Sequence, residues 1–120
     1  MGHPSKSAAL RDLIHSERPD IILLQETKQN QSDMQKIVDA QNFFLGISND
    51  SRGASGGVAV MWSSHLWDCK SFSLNQNWLK INLVHKDESC DIIIYNVYIP
   101  NQFRGKEQCW EELKEDINKE

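Results

Sequence analysis

The residues best suited to chemistry fall in three polar clusters, each at the edge of an apolar run. The first is Gln25-Glu26-Thr27-Lys28, directly after the four apolar residues 21–24. In α/β folds ligands sit outside the carboxyl ends of strands, so Glu26 is a candidate metal ligand or general base. The same residue also suits the first turn of a following helix, where the helix dipole favours an acid. The second cluster is Ser51-Arg52-Gly53-Ala54-Ser55-Gly56-Gly57, just before the apolar run 58–62. It lacks the glycine and lysine spacing of a phosphate-cradling P-loop, so a mobile, solvated loop over 49–57, carrying Arg52, is expected. The third is Asn96, Tyr98 and Asn101, at the end of the run 91–99. Asn96 and Tyr98 are two residues apart and share a strand face. Tyr98 reads either as a catalytic phenol or as a half-buried strand aromatic.

Other chemistries find less support. His3, His15, His65 and His85 lie in unrelated contexts, and none has a partner at metal-ligand spacing. They read as surface or packing residues. Cys69, Cys90 and Cys109 are far apart and make no C-x-x-C pair, which suggests free thiols in a reducing compartment. The sequence has no G-x-S-x-G, dinucleotide-binding glycine fingerprint or H-E-x-x-H.

These clusters need elements to position them. Residues 21–24 form a continuous apolar run, too short for a helix and without alternation, which predicts a strand buried on both faces. Residues 58–62 and 91–99 read the same way. Residues 5–17 form an amphipathic helix through Leu10, Leu13 and Ile14, stopped by Pro19. A second helix is expected over 33–41, with Met34, Ile37 and Val38 as its apolar stripe. Residues 43–47 and 69–74 are weaker strand signals. In 78–84, Leu79, Ile81 and Leu83 alternate with Lys80 and Asn82, the pattern of a strand with one wet face. Residues 106–120 predict a helix packing through Trp110, Leu113 and Ile117, with acidic residues opposite. The expected fold class is therefore α/β, a mixed, mostly antiparallel sheet with flanking helices.

At 120 residues the chain is one domain or part of one. Its 39% hydrophobic and 25% charged residues are ordinary for a folded soluble chain. A net charge of −4 argues against nucleic-acid binding through charge alone. It leaves room for a metal-dependent nuclease, because a bound cation supplies local positive charge. No apolar run approaches membrane length and no secretory leader is seen. An intracellular place, nucleus or cytoplasm, is expected, with no membrane partner.

Taken in order, Leu-Leu-Gln-Glu-Thr-Lys (23–28), Gly-Gly-Val-Ala-Val-Met-Trp (56–62) and Tyr-Asn-Val-Tyr-Ile-Pro-Asn (95–101) resemble the endonuclease/exonuclease/phosphatase superfamily. Within it, Pro-Ser-Lys-x-x-Ala-Leu-Arg-Asp-Leu-Ile (4–14) and residues 51–57 are similar to the apurinic/apyrimidinic-type endonuclease domain of plant non-LTR retrotransposons. The resemblance implies a four-layer α/β sandwich, a divalent metal, usually Mg²⁺, and phosphodiester cleavage by water. It implies that Glu26 is the metal carboxylate and Tyr98 the active-site tyrosine at the scissile phosphate. Asn101 would touch the nucleic-acid backbone, as would Arg52 and Asn96. DNA is the partner that follows from it.

The family pattern also includes an initial strand bearing a metal-site Asn, a Gly-Asp-Phe-Asn segment and a Ser-Asp-His segment, none of which occurs in these residues. Residues 1–120 thus read as the N-terminal half of such a domain, without its first strand, and as a partial sandwich. Catalytic silence is expected of them alone, since residues acting as a unit fail together. The second sheet is expected to be largely lacking, with apolar edges left for a partner that completes the sandwich. A non-catalytic nucleic-acid or protein-binding module, or a phosphatase-type member, are the alternatives.

Overall fold

The computed structural model describes residues 6–25, 27, 29–52, 55–98 and 103–119, with the side chains at 50–52, 55, 56, 103 and 104 left aside. The chain runs α1 (Lys6–Glu17), β1 (Ile21–Gln25), α2 (Gln31–Asp39), β2 (Phe44–Arg52), β3 (Ser55–Ser63), β4 (Trp67–Leu74), β5 (Trp78–His85), β6 (Asp91–Val97) and α3 (Phe103–Asn118). The strands make two three-stranded sheets, in the orders β1-β3-β2 and β4-β5-β6. Every pairing among the described residues is antiparallel.

β3 is the central strand of the first sheet, and its residues 58–62 alternate between two cores. Ala59 and Met61 face the helices, where they meet Leu10 of α1, Met34 and Val38 of α2, and Ile22 of β1. Val58, Val60 and Trp62 face the second sheet, against Trp67, Leu79, Ile81 and Leu83. A strand buried on both faces must be apolar throughout, which is what the unbroken run Val58–Trp62 encodes. α2 begins where the Asn30 side chain accepts from the Asp33 N–H at 2.8 Å, satisfying one of the donors that a helix start leaves open. It lies close on β2: a Cβ at Gly46 would fall 2.9 Å from Val38 Cγ2. Glycine is what permits that approach.

In the second sheet β5 is central. Leu79, Ile81 and Leu83 are fully buried between the sheets, as their alternation requires. The opposite face of β5 is less wet than the sequence suggests, because α3 lies across it. Asp116 of α3 accepts from Lys80 Nζ at 3.0 Å and from Tyr95 OH at 2.6 Å. The layers are therefore α1/α2, sheet, sheet, α3, with three strands in each sheet, in keeping with the expected partial four-layer α/β sandwich.

Four expectations change. The strands over 21–24 and 91–99 are edge strands, not doubly buried ones: Leu23 is 47% and Ile93 38% exposed. An apolar run gives hydrophobicity but not a strand's place in its sheet. The second sheet is not missing; Trp67 of β4 and Leu79, Ile81 and Leu83 of β5 form one side of the inner core. The loop expected over 49–57 is largely ladder, since β2 and β3 stay paired to Arg52↔Ser55. Finally, α3 is buried through Cys109 and Leu113, whereas Trp110 and Ile117 are 46% and 48% exposed. The helix is rotated so that Asp116 also faces the sheet, where Tyr95 and Lys80 hold it.

Candidate functional site

Described residues of the three polar clusters, Gln25 and Thr27, Gly57, and Asn96 and Tyr98, come to one end of the sandwich, and carboxamides fix that end. In the first sheet Gln25 and Asn49 flank Val58 on its two sides, one from each edge strand. Gln25 Nε2 crosses to the second sheet, donating to Asn96 Oδ1 at 3.0 Å and to the Val97 carbonyl at 2.9 Å. Asn96 reaches back. Its Nδ2 donates to the Leu24 carbonyl at 3.1 Å and to the Ala59 carbonyl at 3.0 Å. Asn49 Nδ2 donates to the Asn75 carbonyl at 2.6 Å and the Trp78 carbonyl at 3.1 Å, in the β4–β5 turn. Each of the three amides spans the gap between sheets.

These clamps set the backbone next to the residues of interest. Thr27 N–H donates to the Gly57 carbonyl at 3.1 Å, so the chain is held both at Gln25 and at Thr27. Gly57 has φ 89°, which glycine adopts without strain. The Thr27 carbonyl accepts from Lys6 Nζ at the start of α1. Thr27 itself is 7% exposed and its hydroxyl has no hydrogen-bond partner. It helps to line a largely apolar cavity of about 300 Å³ between α1, α2 and the end of β1. On the other sheet Tyr98 N–H donates to the Asn77 carbonyl at 2.7 Å, and the Tyr98 side chain packs against the inner core.

The sequence candidates are thus placed unevenly. Asn96 and Tyr98 stand on one strand face, as their spacing requires. Asn96, expected among the residues that touch nucleic acid, is 2% exposed and bonded three times within the chain; its position here is that of a clamp. Arg52 ends β2, with its side chain outside the described set. Glu26 and Asn101 lie outside the described residues. Sequence reasoning gave no role of their own to Gln25, a member of the first cluster, or to Asn49; their only signal there is a carboxamide set against an apolar strand. It also passed over the Asp116–Tyr95–Lys80 group. There the Asp116 carboxyl is held below its usual range, first by the Tyr95 hydroxyl and then by Lys80. Burial, followed by the bond to Asp116, raises Tyr95.

A divalent cation needs oxygen donors. Among the described residues no group of three or more His, Cys, Asp or Glu could hold one. The described donors at the clamped end are amides already engaged with backbone carbonyls, one buried hydroxyl and a phenol. They do not form a metal cage by themselves.

No curated protein matches the chain. A protein-family comparison matches residues 2–119 to the Endonuclease/Exonuclease/phosphatase family. The match spans all three strand-end clusters and both sheets, and the chain belongs to that family.

Proposed function

We propose that these residues are part of a divalent-metal-dependent phosphodiesterase, more narrowly a DNA endonuclease of the retrotransposon type. In this reading Glu26 is the carboxylate that holds Mg²⁺, a role suited to a hard oxygen ligand. Tyr98 orients the scissile phosphate, and Asn101 and Arg52 contact the nucleic-acid backbone. Asn96 acts as a positioning residue. The observation that carries the reading is the bond from Gln25 Nε2 to the Val97 carbonyl, 2.9 Å, which joins the residue before Glu26 to the residue before Tyr98. Two strands 72 positions apart in sequence are tied at the ends where the candidate residues follow. What the cation would supply is charge neutralisation at the phosphate and an activated water.

Taken alone, the 120 residues are proposed to be nearly silent as a catalyst. They contain one carboxylate at a matching position and no matching general base. Isothermal titration with Mg²⁺ tests the metal role: binding by the wild-type chain that is lost in Glu26→Gln supports it. Equal binding by both overturns it. Nicking of supercoiled plasmid tests the silence. Sustained turnover that disappears in Glu26→Ala would sink the idea that these residues are insufficient.

A further inference from the structure

The opposite end of the sandwich carries a groove that the catalytic reading does not use. Arg11, Ile14, His15 and Arg18 follow the i, i+3, i+4, i+7 spacing of one helix face on α1 and its C-terminal residue. They line, with Gln41 and Phe43, a groove of about 380 Å³ between α1 and the turn from α2 to β2. Arg11 and Arg18 are both exposed. No ion pair or hydrogen bond ties either guanidinium to another described side chain. Phe43 is 64% exposed, although its ring touches His65 at 4.5 Å between centroids. In a chain of net charge −4 this sets two unpaired guanidinium groups beside an open aromatic ring.

The backbone makes the side-chain choices harder to dismiss as incidental. Among the described residues only Arg18 and Phe43 are non-glycines with positive φ, at 50° and 68°, and both line this groove. Arg18 closes α1, its N–H donating to the Ile14 carbonyl at 3.0 Å. That left-handed position is usually glycine. A bulky residue such as Phe43 is rarer still at positive φ. Both sites hold a large side chain where the backbone favours a small one, so the backbone does not account for them.

Guanidinium groups bind phosphate, and an exposed ring stacks a base. We infer that this groove binds a segment of single-stranded nucleic acid, with phosphates at Arg11 and Arg18 and a base on Phe43. An acidic peptide would satisfy the two arginines but would leave the exposed part of the ring uncovered. The groove lies at the opposite end of the sandwich from Gln25, Thr27 and Tyr98, so this inference and the catalytic one can fail separately.

The test is fluorescence anisotropy of the full chain with a labelled ten-nucleotide oligothymidylate, in EDTA so that no divalent metal contributes. Arg11→Gln with Arg18→Gln is expected to weaken binding at least tenfold at low salt. It should also flatten the slope of log K against log salt by roughly 1.4, about 0.7 for each phosphate released. Phe43→Leu is expected to weaken binding about fivefold or more and leave the slope unchanged. Arg18→Gly separates binding from folding: it should raise the melting temperature by about 3 °C while still weakening the complex. Wild-type affinity in the double arginine variant overturns the site. An oligoglutamate that competes as well as unlabelled oligothymidylate overturns the choice of nucleic acid, as does an unchanged affinity in Phe43→Leu.

Discussion

The two ends of the sandwich use polar side chains in opposite ways. At the end where β1 and β6 finish, Gln25, Asn49 and Asn96 give their amide hydrogens to backbone carbonyls of the facing sheet. At the end where α1 stops and β2 starts, Arg11 and Arg18 stay exposed, with no carboxylate partner among the described residues. The first arrangement fixes geometry, because each amide is bonded across a gap that apolar packing alone would leave free to slide. The second leaves charge available, at the cost of two left-handed residues. A family fold that must hold a reaction geometry has reason for the first, and a groove that meets a ligand has reason for the second.

Breaking the clamp should have the largest effect. Asn96→Ala removes the amide bonds to the Leu24 and Ala59 carbonyls and the acceptor of one Gln25 bond, and about 3 kcal/mol of stability should be lost. Urea denaturation measures it. A loss under about 0.5 kcal/mol would mean that the clamped end is no more fixed than the groove. Asn49→Ala removes two such bonds at the β4–β5 turn and should cost about 1.5 kcal/mol by the same measurement.

Asp116→Asn asks whether polar engagement outside the two ends is equally strong. It should cost about 1 kcal/mol at neutral pH. Because the folded Asp116 carboxyl is depressed, its contribution is complete above the ordinary carboxylate value of about 3.9 and is lost as pH falls through the lower folded value. The gap between wild type and variant should therefore narrow below about pH 4. A gap that widens there would reverse the assignment. Lys70→Ala is the smallest change and calibrates the exposed surface. Its bridge to Asp91 spans 3.8 Å with both side chains more than half exposed, so less than about 0.5 kcal/mol is expected.

Where sequence reasoning succeeded, the signal was local. The unbroken run at residues 58–62 and the alternation of Leu79, Ile81 and Leu83 gave strands whose faces then proved buried. The stripe of Met34 and Val38 gave α2. Where it failed, the missing information was long-range. Ile21–Leu24 and Ile92–Ile94 are as apolar as Val58–Trp62, yet of these three runs only the last lies in a central strand, because pairing order is a property of the whole sheet. Trp110 and Ile117 are as apolar as Leu113, yet Asp116 takes the sheet-facing place, because Tyr95 and Lys80 wait opposite it.

The sequence by itself determined the α/β class, most of the elements, and the family through the ordered motifs at 23–28, 56–62 and 95–101. Periodicity carries that information, since the face a side chain turns to follows from helix or strand geometry. Only the tertiary structure decided that Gln25 meets Asn96 and Val97, 71 and 72 positions away, and that Arg11, Arg18 and Phe43 share one groove. A carboxamide or a guanidinium can bond almost any carbonyl or anion, so its partner is set by how sheets and helices stack, which no local pattern encodes.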